Sequence, residues 1–248
     1  PSESASARMQ IKCWAAVIGG SLGGMQAMHW SITYPDRLLS AVVIASAMKL
    51  SAQNIAFNEI ARRAIKADPN FHHGHYQEKN KKPLQGLALA RMIGHVTYLS
   101  DLSMAEKFGR ELLNGNFLGE KGESIEFKIE SYLNYQGDKF AHGFDANSYI
   151  LLTKMLDYFD LGSEYNKQPS VAFEVASCKF LVLTFSSDWR FPPERSREIT
   201  KALITAGRDV THAEISSSQG HDAFLLPNSR YQKVLSTFLN RIVKNVNC

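Results

Sequence analysis

The stretch Val17-Ile18-Gly19-Gly20-Ser21-Leu22-Gly23-Gly24 constrains the fold more than any other part of the chain. A short apolar run stops at a G-x-S-x-G pentapeptide, and a helix-compatible stretch follows. Strand, strained turn and helix in that order make a nucleophile elbow, which holds a serine exposed at the start of a helix. Glycines on either side of the serine let the chain turn sharply and let strand and helix approach closely. An oxyanion formed at such a serine is stabilised by the helix N-terminus. The serine also comes early. Only 20 residues precede Ser21, whereas a sheet of this kind normally has several strands before its nucleophile strand.

The elbow predicts an α/β-hydrolase-type fold, a parallel sheet flanked by helices, and the rest of the chain is consistent with it. Cys13–Ile18 reads as a buried strand, 23–34 as a helix ended before Pro35, and Leu39–Ala45 as a second buried strand. The character then changes. Helical periodicity runs through 51–68 with Ser51 as N-cap, through 84–99, through a segment opened by a Ser103-x-x-Glu106 capping box and ending near Gly115, and through 124–135 and 145–159. Strands return at Lys179–Phe185 and Thr211–Ile215, with helices at 193–207 and 231–246. The expected organisation is therefore a core part at 1–50 carrying the elbow, a helical lid inserted at 51–174, and a second core part at 175–248. The fold's N-terminal strands are not in this sequence, which would leave a normally buried strand as an exposed edge.

Composition narrows the function classes. The chain has 248 residues, 44% hydrophobic and 21% charged, enough for one globular domain with an inserted subdomain. A net charge of +4 with scattered lysines and arginines is no nucleic-acid signature. No apolar run approaches a membrane span and no signal pattern opens the chain, so neither a membrane nor a nucleic-acid partner is expected. The three cysteines Cys13, Cys178 and Cys248 show neither a disulfide framework nor metal-ligand spacing, and the default compartment is the cytoplasm. His72, His73 and His75 cluster in a polar loop, but no Asp, Glu or Cys at ligand spacing accompanies them, so no metal is expected.

A serine is a weak nucleophile until a base takes its proton, and that base needs an orienting acid. The order expected on this fold is Ser, then Asp or Glu, then His. Asp188 follows the strand ending at Phe185, in Ser186-Ser187-Asp188-Trp189-Arg190. His221 follows the strand ending at Ile215, in Gln219-Gly220-His221-Asp222. Both lie just past the C-terminal ends of parallel strands, where open α/β sheets place ligands. Taken singly, the pentapeptide is a turn, Asp188 a helix cap and His221 a loop histidine. Taken together, in order and in the expected loops, they predict a Ser21–His221–Asp188 triad.

Five segments resemble the homoserine O-acyltransferase family, O-acetyl- and O-succinyltransferases of the α/β-hydrolase superfamily: GGSLGGMQAMHWSITYPDR from Gly19, LALARMIGHVTYLS from Leu87, FDANSYILLTKMLDYFD from Phe144, SSDWRFPPERSREI from Ser186 and QGHDAFLL from Gln219. The resemblance implies an enzyme of methionine biosynthesis that moves an acyl group from acyl-CoA to the hydroxyl of L-homoserine. Some relatives acylate serine, so the acceptor stays open. It implies Ser21 as nucleophile, Asp188 as acid and His221 as base. Arg91 would hold the homoserine carboxylate and Asp222 its amine. An amino-acid substrate needs a fixed cation and a fixed anion of this kind.

The implied mechanism is ping-pong. Ser21 attacks the thioester, the backbone N–H of Leu22 supplies one oxyanion donor, and an acyl-Ser21 ester then passes its acyl group to homoserine. No bound cofactor is expected; acyl-CoA is a co-substrate. Arg190, two residues after Asp188, could pair with the free carboxylate of a succinyl group, which acetyl lacks. The Asp-Trp-Arg pattern resembles succinyl-transferring members more, with acetyl-CoA left open. Two other readings stand beside this one: an esterase on the same fold, or a catalytically incomplete fragment needing a complementing N-terminal polypeptide. The family's dimerisation through the helical insertion admits a homodimer as well.

Overall fold

The computed structural model describes residues 11–113 and 127–244. The tail 1–10, Gly115, residues 124–126 of an expected helix and Cys248 lie outside them. The chain divides into two compact units, 1–49 with 159–248, and Leu50–Tyr158.

The first unit is built on four parallel strands in the order β1-β2-β3-β4: β1 Val17–Gly20, β2 Ser40–Ile44, β3 Lys179–Phe185 and β4 Val210–Ile215. Register runs from Val17 opposite Ala41, through Ser40 opposite Lys179, to Phe180 opposite Val210. β2 is buried throughout and β3 in all but its first residue, as apolar strands with neighbours on both sides should be. Side chains alternate between the faces. Val42, Ile44, Leu181, Leu183 and Phe185 pack with Phe238 and Ile242 of the helix Ser229–Lys244. On β3 the alternate residues are Phe180, Val182 and Thr184, and the Phe180 ring meets Phe173 of the helix Pro169–Phe173 edge-on at 5.7 Å.

The first strand differs from the one expected from the sequence. It begins at Val17 rather than Cys13, and Ile18 is 47% exposed rather than buried. Among the described residues β1 pairs with β2 alone, so only one of its edges is covered. Trp14 joins earlier, in a separate bridge to Leu38.

The second unit is helical. Its helices are Ala52–Ala67, Leu84–Tyr98, Asp101–Phe108, Lys128–Gly143 and Ala146–Tyr158, and its core includes Ala61, Ile65, Leu87, Ala90 and Ala141. The hydroxyl of Ser51 accepts from the N–H of Asn54, as its place before the helix predicts. The expected capping box at Ser103 and Glu106 does not open a helix. Ser100 caps instead, accepting from the N–H of Ser103 one turn in, and the helix stops at Gly109 with φ 51. Ser and Thr cap wherever the chain is extended just before the first turn, and Ser100 is the residue with that backbone. Buried Arg62 donates to Asp157 at 2.7 Å, joining the first and last helices of the unit. Residues 159–174, at the end of the expected insertion, lie in the sheet unit.

Candidate active site

Ser21 stands between β1 and the helix Leu22–Thr33 with φ 56 and ψ −120. For a residue bearing a Cβ such a backbone costs about 1–3 kcal/mol and persists only where its surroundings hold it. Here they do. Its N–H donates to Ile44 O at 2.9 Å, and its carbonyl accepts from the N–H groups of Gly24 and Met25 at 3.0 and 3.3 Å. The Ser46 hydroxyl donates to the same carbonyl at 2.8 Å. Ala45 just before Ser46 is itself at φ 46, which turns the end of β2 back toward the elbow. Ser21 occupies the helix cap position, yet its side chain makes no capping bond.

The glycines divide the steric work unevenly. A Cβ on Gly19 would lie 2.0 Å from Gly23 O, which is backbone and cannot give way. One on Gly20 would lie 2.5 Å from the Phe224 ring, and one on Gly24 2.6 Å from the Ser46 Cβ. One on Gly23 would meet nothing within 4 Å.

Asp188 and His221 meet directly. Nδ1 of His221 lies 2.8 Å from Oδ2 of Asp188, and both residues are buried. An ionised carboxylate only accepts, so Nδ1 is the donor, and in the neutral imidazole Nε2 then presents the lone pair of a base. The other carboxylate oxygen of Asp188 accepts from the N–H groups of Arg190 at 3.0 Å and Phe191 at 2.8 Å. The acid is thus held by its own loop. The imidazole is flanked by Phe191, with centroids 5.1 Å apart, and by Phe224 at 5.5 Å. Phe224 is the ring against which Gly20 packs, so one aromatic links the residue before Ser21 to His221.

The remaining predicted residues are distributed as follows. Leu22 opens the helix that follows Ser21. Gly24 and Met25 direct their N–H groups to Ser21 O, so Leu22 and Gly23 carry the first N–H groups of the turn. Arg190 is buried beside Asp188, and Asp222 is half-buried next to His221. Arg91 lies in the helical unit, its guanidinium 5.0 Å over the Phe140 ring. His75 pairs with Glu78, and among the described residues no three His, Cys, Asp or Glu side chains gather in a form that could hold a metal. Cys178 is buried, and desolvation pushes its thiol up to about 12, far from a reactive thiolate.

Three supporting residues were not evident from the sequence: Ser46, Phe224, and Ser187, whose hydroxyl accepts from the N–H of Gly220 at 2.9 Å. The available signal was Ser186-Ser187 directly before Asp188, two hydroxyls in a strand-end loop where side chains can tie loops together.

A family model described as alpha/beta hydrolase fold matches residues 9–226. The homoserine O-succinyltransferase of Cellvibrio japonicus is 64% identical over 229 residues, 92% of this chain and 60% of that protein. That of Saccharophagus degradans is 60% identical over 236 residues, 95% of this chain and 62% of that protein. This chain thus spans about three-fifths of the length of these relatives. Among solved structures, a homoserine O-acetyltransferase from Bacillus anthracis superposes with TM-score 0.82 at 21% identity, over 99% of this chain and 63% of that one. Esterase E22 gives 0.83 at 22% identity, over 96% and 64%. At such identities these two likenesses speak for the fold alone.

Proposed function

The chain belongs to the α/β-hydrolase fold family, and from that premise we propose that it carries the catalytic residues of a homoserine O-succinyltransferase. The observation that carries the reading is the 64% identity to such an enzyme over 92% of this chain. The buried His221–Asp188 pair at 2.8 Å and the strained, non-capping Ser21 support the chemistry it requires.

In this reading Ser21 Oγ attacks the thioester carbonyl of succinyl-CoA while His221 Nε2 takes its proton. The oxyanion is met by the N–H of Leu22 at the start of the helix. The tetrahedral species collapses, the C–S bond breaks, and the coenzyme A thiolate leaves with the proton from His221. A succinyl-Ser21 ester remains. Homoserine then presents its hydroxyl, His221 takes that proton, and attack on the ester carbonyl forms the new C–O bond. Collapse releases O-succinylhomoserine and returns the proton to Ser21. Asp188 keeps the imidazole in the tautomer both half-reactions use and stabilises the imidazolium formed in each. The proposed contact for the acceptor's ammonium is Asp222, next to His221. Arg190, buried beside Asp188, is proposed to recognise the free carboxylate of the succinyl group.

The test is an assay of the purified chain with succinyl-CoA, with and without homoserine, following thiol release and product by mass spectrometry. The expected result is sustained thiol release only with homoserine, matched by O-succinylhomoserine. Release at the same rate without homoserine would make the chain a hydrolase and end the transferase reading.

A further inference from the structure

We propose that Ser187 is a positioning residue for His221: its hydroxyl fixes the peptide that enters Gly220, the residue before the histidine, and so helps hold the imidazole at Asp188. The proposal rests on the reading of Ser21, His221 and Asp188 as a working triad.

Three consecutive residues of the loop after β3 each grip the loop after β4. The Ser186 hydroxyl accepts from Ser217 N at 3.1 Å and donates to Ser217 O at 3.2 Å. The Ser187 hydroxyl accepts from the N–H of Gly220 at 2.9 Å. Asp188 accepts from His221 Nδ1 at 2.8 Å. The grips are not equivalent. Ser186 acts four positions before His221, whereas Ser187 acts on the N–H of the residue directly before it.

Gly220 is where that matters. It is buried, at φ 67, and a glycine has little intrinsic preference between left- and right-handed φ. The peptide entering Gly220 is therefore held by its partners rather than by local sterics, and its N–H donates to Ser187. The imidazole plane is bounded by the Phe191 and Phe224 rings, and its Nδ1 is fixed by Asp188. What these leave undetermined is how far the backbone carries the ring within the space between them. A misplacement of about 1 Å in a catalytic group can cost roughly a hundredfold in rate.

The test uses the 248-residue chain and two readouts that do not depend on homoserine or acyl-CoA. One is the rate at which a fluorophosphonate modifies Ser21, with loss of fluoride, followed by intact mass. The other is the far-downfield NMR resonance of the Nδ1 proton shared by His221 and Asp188. Ser187→Thr keeps the hydroxyl acceptor, and Ser187→Val has the same shape without it. Ser187→Val is expected to label about tenfold or more slowly than wild type and to lose the downfield resonance to exchange with solvent. Ser187→Thr should keep both. Ser186→Ala, which removes the more distant grip, should keep the resonance while lowering the melting temperature. Should Ser187→Val not fold, Ser187→Ala carries the same comparison against Ser187→Thr. A folded Ser187→Val that labels at the wild-type rate with its resonance intact overturns the proposal alone. So does a Ser186→Ala that loses as much as Ser187→Val. A folded wild type that does not label at all overturns the triad reading and this proposal together.

Discussion

Gly20 and Phe224 are in van der Waals contact, with no room between them for a methyl group: a Cβ on Gly20 would lie 2.5 Å from the Phe224 ring. Phe224 in turn packs edge-on against the His221 ring at 5.5 Å. Gly20→Ala should therefore push an aromatic that borders the imidazole. We expect a loss of about 1–3 kcal/mol in stability from overpacking and a larger proportional loss in Ser21 labelling. Adding Phe224→Leu should restore part of both. A double-mutant cycle reads the coupling directly, and strictly additive effects would separate Gly20 from the site.

Gly23 behaves differently from its neighbours, although the G-x-S-x-G pattern gives it the same standing as Gly19. A Cβ there would meet nothing within 4 Å, and it lies in the first turn of the helix Leu22–Thr33. Gly23→Ala should be tolerated, and could add up to about 1 kcal/mol through helix propensity. Gly19→Ala should disrupt the elbow, because its Cβ would lie 2.0 Å from Gly23 O. Thermal melts of the two variants check the ranking; equal destabilisation would refute it.

These two glycines also mark how far the sequence could be read. Periodicity located β3 at Lys179–Phe185 to the residue and the neighbouring strand and helix to within a residue or two, because buried strands are continuous apolar runs and capped helices announce their ends. The order Ser21, Asp188, His221 at strand ends was legible for the same reason. The start of β1 was misjudged, at Cys13 rather than Val17, because an apolar run does not mark where strand pairing begins. The Ser103 cap was misjudged because Ser100, Asp101 and Ser103 are all residue types that cap, and only the backbone angles distinguish the one that does. Ser187 was missed because the paired serines before Asp188 were the only signal, and its partner Gly220 lies 33 positions along the chain. Phe224 was invisible because it packs on Gly20 from a different loop. A pattern over neighbours carries no such contact.

His95 makes stability depend on pH in a calculable direction. It is 5% exposed, and desolvation, with help from the charges of Arg91 and Lys107, lowers its pKa from 6.5 to about 4. The unfolded chain therefore binds a proton that the folded chain refuses as pH falls from 6.5 toward 4. Stability is fully present above that window and declines through it. The whole decline is at most about 3.5 kcal/mol, since a tenfold change in proton affinity is worth about 1.4 kcal/mol. His95→Phe should flatten this part of the pH dependence. Chemical denaturation at about pH 7 and about pH 4.5 tests it, and an unchanged slope in the variant would rule His95 out as its source.

Thr184 is fully buried on β3, and among the described residues its hydroxyl has no hydrogen-bond partner. An unpaired buried hydroxyl costs about 1–3 kcal/mol. Thr184→Val keeps the branched shape that suits a strand and removes that group. The variant is expected to be more stable than wild type by about 1 kcal/mol, read as a shift in denaturation midpoint at constant slope. A loss of stability would place a water or another partner at the hydroxyl.

In the proposed transferase reading, Arg190 bears on which acyl group is carried. Its backbone N–H is committed to Asp188 at 3.0 Å, and the residue is buried, so a substitution at its side chain leaves the grip on the acid in place. If the guanidinium pairs with the free carboxylate of a succinyl group, Arg190→Leu removes an interaction that acetyl-CoA never makes. A charge-assisted pair of this kind in a shielded site contributes about 1.5–3 kcal/mol, or roughly 10- to 150-fold in relative rate at about 1.4 kcal/mol per decade. Turnover of succinyl-CoA should fall by that factor while turnover of acetyl-CoA changes little, so that the preference between donors narrows or reverses. Measuring kcat/KM for both donors with homoserine saturating isolates the effect. Equal losses on the two donors would mean that Arg190 supports the Asp188 loop and does not read the acyl group.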